Sequence, residues 1–344
     1  GARCGTFEHF QIKGIGKNVL AGKRDRWHSY GGFSLIEAAC EIIASNTLEK
    51  ILPIGAAKCL GIIYTGENSA LLPARDANAK GVNSVGRGAI LVREALLRPA
   101  HLLKNSDFQK VSLQLDLEDE DSRIKGVYRS LLKQYPTKKE IIAFLAKFVS
   151  NGANQFAYSK IFRIYHGSLT VSNIAMDAKW LDLTNAGFIP SGLNFQNRKS
   201  LLSFFDEHKS VGGVLFEIEN GIRKYLQIDL NIMPLLAYYD SQYNVYLQKY
   251  TSLLMGLSEE PNFVASCNSE VLAKKFERIL EFNKTPLDEI PRFDTAILQD
   301  SIYLYIKSTY INILTLSKNK LNTEECCLHS MLMLSYENSC KSIN

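Results

Sequence analysis

Hydrophobic and polar positions first alternate in 6-TFEHFQIKG-14, with Phe10 and Ile12 on one side of an extended chain and Gln11 and Lys13 on the other. Period two predicts a strand. The pattern breaks in 14-GIGKNVLAGKRDRWHSYGG-32, whose glycines and charges predict a long functional loop. It resumes with helical period in 34-SLIEAACEIIASNTLEKIL-52, where Ser34 stands three residues before Glu37, the spacing of a capping box. After Pro53, 58-KCLGIIYTG-66 and 88-GAILVREAL-96 predict two further strands joined by a polar loop. From about Ala100 the period turns helical, in 124-IKGVYRSLLKQY-135 and again over 138–162. The acidic stretch 116-DLEDED-121 between these regions reads as a solvated loop or helix start. A loop-and-strand segment over 164–188 interrupts the helices, and the remainder from about 197 is largely helical. Within it the tyrosines of 236-LAYYDSQYNVYLQKYTSLL-254 lie around a helix and are expected to pack as core and interface.

Strands around one helix, followed by helices, predict an α+β chain with a strand-rich unit over 1–100 and a helical unit over 101–344. A length of 344 residues fits two such units. Composition narrows the partners. With 46% hydrophobic and 22% charged residues the chain is globular rather than disordered. No apolar run approaches the about 18–20 residues of a membrane span. The net charge of 40 − 35 = +5 is spread along the chain, which excludes nucleic acid as an expected partner. Seven cysteines (Cys4, Cys40, Cys59, Cys267, Cys326, Cys327, Cys340) show no CxxC spacing, so reduced thiols in a cytoplasm are expected rather than disulfides or zinc. The start at Gly1, without methionine and directly before a strand, is expected to reflect truncation or processing.

Four features carry chemistry in a meaningful order: Lys13 on a strand, an acidic helix position at Glu37 or Glu41 one turn on, Arg93 on a later strand, and 166-HGSLTVSN-173 followed by Asp182. A triphosphate needs a fixed ammonium, and a buried ammonium needs a carboxylate to hold its charge and place. Magnesium takes hard oxygens, commonly one or two from the protein with phosphates and water. An Asn amide oxygen at Asn173 and a carboxylate at Asp182 meet that need, while Asp177 belongs in the intervening turn. A strand-rich unit with a glutamate-held lysine, then a helical unit with Asn and Asp for metal, is the logic of a bilobal protein-kinase-like fold using ATP and Mg2+. Plainer roles compete. Glu37 serves its capping box, Arg93 a salt bridge, His166 a loop-orienting role, and Trp27, His28 and Tyr30 fold their loop back on itself. Cys327 and His329, two apart in a helix, point away from each other.

Residues 11-QIKGIGKN-18, 31-GGFSLIEAACE-41, 88-GAILVREALLRPAH-101 and 166-HGSLTVSNIAMDAKWLDL-183 resemble the SelO (YdiU) protein adenylyltransferases. That resemblance implies a kinase-like fold that binds ATP in a flipped orientation and transfers AMP. It implies that Lys13 holds phosphates, Glu37 pairs with it, Arg93 and Arg98 meet phosphates, and Asn173 and Asp182 hold magnesium. The chain departs from the pattern at the residue before the metal Asn, an aspartate in SelO proteins and Ser172 here. The aminoglycoside-kinase base position is likewise Ser168, and a hydroxyl does not accept a proton at neutral pH as a carboxylate does. The HGxLTxSN…WLDLT pattern also resembles the MchC/MceJ-type microcin maturation proteins. That implies, with an acyltransferase-like partner protein, joining of a catecholate siderophore to a peptide C-terminal carboxylate. Adenylylation of protein hydroxyls, or a nucleotide-binding scaffold without turnover, are the alternatives.

Overall fold

The computed structural model describes residues 3–17, 30–71, 85–104, 120–188 and 204–254. Two strands and a turn replace the single strand expected at 6–14. β1 (Cys4–Phe7) and β2 (Phe10–Lys13) form an antiparallel hairpin in which Phe7 faces Phe10 and Cys4 faces Lys13. The chain reverses at Glu8, whose φ of 51° is a left-handed conformation that glycine or asparagine adopts more readily. With neither residue there, the alternation runs on through the turn and hides it.

The helix expected over 34–52 forms as α1 (Leu35–Ile51). Ser34 Oγ accepts from the Glu37 N–H and Glu37 Oε2 accepts from the Ser34 N–H, both at 3.2 Å, so the capping box is present. β3 (Cys59–Tyr64) and β6 (Ala89–Glu94) complete a four-stranded antiparallel sheet of order β1-β2-β6-β3. β4 (Ala70–Leu71) and β5 (Val85–Gly86) pair with each other inside the expected polar loop. In the centre of the sheet Gln11 lies opposite Arg93 and Lys13 opposite Leu91. The two-residue period sends all four side chains to one buried face. On that face Phe33, Ala38, Cys59, Ala89 and Leu91 form an apolar cluster.

Helices α2 (Pro99–Leu102), α3 (Glu120–Gln134) and α4 (Lys138–Ile161) follow. The end of the acidic stretch, Glu120 and Asp121, supplies the first turn of α3, where negative charge favours the helix dipole. Next come β7 (Ile164–Tyr165) and its antiparallel partner β8 (Gly187–Phe188), a 3-10 turn at Phe204–Lys209, and helices α5 (Ser210–Leu226) and α6 (Met233–Leu254). The larger core joins Leu48 of α1, and Leu52 just past its end, to Tyr128, Phe148, Trp180 and Leu215. Helix α1 therefore supplies both cores, Ala38 toward the sheet and Leu48 toward the helices. Tyr239, Tyr243 and Tyr250 of α6 are buried, as their spacing predicted, although Tyr238 is exposed. The architecture is mixed α/β, with a small antiparallel sheet and several helices. Among the described residues no helix is long and apolar enough to cross a membrane. Cys4, Cys40 and Cys59 are thiols. Trp27, His28, Cys267, Cys326, Cys327, His329 and Cys340 lie outside the described residues.

Candidate functional site

The face shared by Lys13 and Arg93 meets α1 at Glu41, which is wholly buried. Lys13 Nζ donates to Glu41 Oε2 at 2.6 Å, and Arg93 Nη1 donates to Glu41 Oε1 at 2.5 Å. Asp182 closes the network from the far end of the chain. Its Oδ1 accepts from Lys13 Nζ at 2.5 Å and from Arg93 Nη1 at 3.1 Å, while Arg98 Nη1 lies 3.9 Å from its Oδ2. Arg93 Nε is held by Gln11 Oε1 at 2.8 Å, and Arg98 Nη1 donates to the Ser172 carbonyl at 2.9 Å. Lys13 Nζ also lies 4.6 Å from the centre of the Phe33 ring.

The glutamate facing Lys13 is thus Glu41, a correction to the expected Glu37. The carboxylate of Glu37 turns back to the Ser34 N–H and lies 3.7 Å from Arg3 Nη2. The unsatisfied N–H groups at the start of α1 draw it there. Glu41, one turn further on the same helix face, is left to face the strand lysine.

Three cations (Lys13, Arg93, Arg98) against two carboxylates (Glu41, Asp182) leave one surplus positive charge. Burial works to raise the Asp182 pKa, but Arg93, Lys13 and Arg98 hold it well below the usual carboxylate range. Burial likewise works against the Arg93 charge, and Asp182 with Glu41 more than restores it. Burial lowers the Arg98 pKa despite Asp182. Both guanidinium groups remain cations.

Asn173 sits in a framework of hydrogen bonds. Its Nδ2 donates to the Ser168 carbonyl at 2.7 Å, and Ser172 Oγ donates to its Oδ1 at 3.2 Å. The Ser172 hydroxyl also shares a 2.9 Å bond with Thr170 Oγ1. The Leu181 N–H donates to the Asn173 carbonyl at 2.9 Å and Ile174 bridges Trp180, so Asn173 and Asp182 stand on neighbouring arms of a short hairpin. Asp177 is in its turn, where Oδ1 accepts from the Lys179 N–H at 3.1 Å, the turn role expected of it. His166 is fully buried, and its Nε2 donates to the Asn173 carbonyl at 3.2 Å. Burial brings its pKa down to about 4, so the ring is a neutral positioning group, as its loop-orienting reading anticipated. Burial, then the charge of the Glu37 carboxylate, push the Tyr30 phenol up to about 12.

One residue of the site had no signal in the sequence. Glu207, in the 3-10 turn, accepts from the His166 N–H at 3.2 Å and from the Gly167 N–H at 3.1 Å. Gly167 has φ of 77° and its backbone approaches that of Asn185, so only a residue without Cβ fits the turn that Glu207 clamps. Burial raises the Glu207 pKa to about 8, against the lowering effect of the two N–H bonds. A lone glutamate in 201-LLSFFDEHK-209 has no pattern that ties it to a turn 40 residues earlier.

The residues present fit a phosphate chain. Arg93 Nη2 and Arg98 Nε are buried without a hydrogen-bond partner among the described residues, beside a network with surplus positive charge. For magnesium, Asn173 and Asp182 offer two hard oxygens, enough for an ion that takes its remaining ligands from phosphate and water. Among the described residues no group of three or more His, Cys, Asp or Glu side chains is placed to hold a metal without such help. A scan against protein-family models finds no match to this chain, and no curated protein matches it in sequence.

Glu41→Ala should destabilise the fold by about 3–5 kcal/mol, because it leaves Lys13 and Arg93 buried with Asp182 alone. Glu37→Ala should cost about 1 kcal/mol, the scale of a helix cap. Urea denaturation of the two variants measures both, and equal losses would contradict the assignment of Glu41.

Glu207 and His166 set opposite pH dependences. Glu207 has a folded pKa of about 8 above its ordinary 4.5, so the stability it contributes is complete below pH 4.5 and lost as pH rises through 8. His166 is depressed from 6.5 to about 4, so its contribution is complete above pH 6.5 and lost as pH falls through 4. The slopes oppose each other between 4.5 and 6.5. Above that, Glu207 acts alone of the two, by up to about 1.4 kcal/mol per pH unit. Glu207→Gln should flatten the decline in wild-type stability between pH 6.5 and 8, and an unaltered slope would show that this carboxyl is not held neutral.

Proposed function

We propose that the chain is a bilobal, protein-kinase-like nucleotidyltransferase that uses Mg-ATP in the cytoplasm to adenylylate a peptide C-terminal carboxylate. Its lobes are 1–100 and 101–344, with the metal-binding segment at 164–188. The observation that carries the reading is the buried network in which Glu41 and Asp182 flank Lys13 beside Arg93 and Arg98. Lys13, Arg93 and Arg98 bind and orient the phosphates, Glu41 fixes the lysine, and Asn173 with Asp182 holds magnesium, which supplies charge neutralisation when bound.

Ser172 is the distinguishing feature. A hydroxyl nucleophile needs its proton removed as it attacks phosphorus. A peptide carboxylate, with an unperturbed pKa of about 3.3–3.7, is already ionised at neutral pH. A serine in place of an aspartate also removes a like-charge contact worth about 4 kcal/mol at 4 Å and an effective dielectric of 20. In the reaction a carboxylate oxygen bonds to the α-phosphorus, and the bond from that phosphorus to the bridging oxygen breaks as pyrophosphate leaves. The resulting acyl-adenylate is a mixed anhydride that a sugar hydroxyl attacks to give an ester and AMP. That chemistry suits maturation of a siderophore-linked microcin with an acyltransferase-like partner.

With Mg-ATP, the presumed partner and a candidate peptide, pyrophosphate and AMP should be released only when the peptide carboxylate is free. Equal turnover of a C-terminally amidated peptide, or release of ADP, would contradict carboxylate activation. ATP binding without any turnover would favour the scaffold alternative.

A further inference from the structure

We propose that Asp182 is an internal stand-in for a phosphate group: a polyphosphate enters this site without a divalent cation, by displacing the Asp182 carboxylate from Lys13, Arg93 and Arg98. The inference rests on reading the network as a phosphate site, and it adds the order in which ligands arrive.

The side chains of Lys13, Glu41, Arg93 and Arg98 are 5%, 0%, 0% and 2% exposed, whereas that of Asp182 is 24% exposed. Of these five, Asp182 alone meets solvent appreciably, so it lies between water and three buried cations. Its oxygens occupy the positions an anionic oxygen from outside would take, at 2.5 Å from Lys13 Nζ and 3.1 Å from Arg93 Nη1. The contact to Arg98 is longer, at 3.9 Å. One carboxylate cannot satisfy the fork geometry of two guanidinium groups. Arg93 Nη2 and Arg98 Nε accordingly remain without partners among the described residues, and a phosphate, with more acceptor oxygens, has the lone pairs to meet them. Glu41, buried between Lys13 and Arg93, stays as the fixed counter-charge.

A divalent cation meets the opposite situation. While Asp182 is turned to three cations, a metal there faces their combined repulsion and competes with them for the same oxygens. Once a polyphosphate neutralises the cations, Asp182 is free to turn to the metal together with Asn173. Phosphate binding and metal binding therefore reinforce each other, and by linkage they do so reciprocally.

Calorimetric titration with inorganic tripolyphosphate in the presence of a chelator tests this. Asp182→Asn removes the competing charge at nearly constant shape, and it should bind tripolyphosphate about tenfold more tightly than wild type. Arg98→Gln should bind about tenfold more weakly. Unchanged or weaker binding by Asp182→Asn, or no binding by either wild type or that variant, would overturn the inference. Should the asparagine variant fail to fold, Asp182→Ala removes the same charge. Wild type gives an independent reading by electron paramagnetic resonance: Mn2+ should not bind the protein alone at micromolar concentration, and binding there would equally overturn the proposal. Tripolyphosphate binding in the expected pattern, with no pyrophosphate or AMP formed from Mg-ATP together with the partner and a peptide whose carboxylate is free, would support this inference while sinking the proposed transfer.

Discussion

A glutamate carboxylate with no exposure to water, held between a lysine and an arginine, is the constraint on which the rest of this structure depends. Glu41 lies on α1, Lys13 on β2 and Arg93 on β6, and all three are withdrawn from solvent. Charges so buried are tolerable only when each finds its partner with good geometry. The pairing therefore fixes more than side chains. A one-residue slip of β2 against β6 would turn Lys13 to the outer face of the sheet and leave Glu41 with one cation fewer. A shift of α1 by one residue would rotate Glu41 away from both. The apolar contacts around Phe33, Ala38 and Leu91 stabilise the packing of sheet on helix, while the ion network selects one register for it.

The same network connects fold to chemistry. Asp182 reaches it from the arm of a hairpin whose other arm carries Asn173, so the cations proposed to bind phosphate and the oxygens proposed to hold metal meet where three distant chain segments converge. Behind that hairpin the turn at Gly167 is built from groups held neutral, a His166 ring that burial keeps unprotonated and a Glu207 carboxyl that burial keeps protonated toward neutral pH. A neutral scaffold there holds Asn173 in place and leaves the electrostatics of the site to the five charged side chains in front of it.

Much of this was legible in the sequence, for identifiable reasons. The cap of α1 was visible because a capping box is a local pattern, and the strand at β2 because alternation is, although its buried face is the polar one of Gln11 and Lys13. Lys13, Arg93, Asn173 and Asp182 stood out by type and order, and the structure brings Lys13, Arg93, Arg98 and Asp182 into contact. The choice between Glu37 and Glu41 was not legible. Both lie on one helix face, and only the competition between the helix N-terminus and the strand lysine separates them. Glu8 hid a hairpin because its turn carries a residue that ordinarily avoids left-handed backbone. Glu207 acts through two N–H groups far away in sequence, and backbone partners leave no trace in side-chain patterns.

The central claim is that Lys13, held by Glu41 and Asp182, belongs to a nucleotide phosphate site. The most direct measurement is the affinity of the purified protein for the α,β-methylene analogue of ATP with Mg2+, compared with that of Lys13→Ala. The account predicts that wild type binds, and that the variant keeps its circular dichroism spectrum while binding at least about tenfold more weakly. Equal affinity in the two proteins, or no binding by wild type, would contradict it.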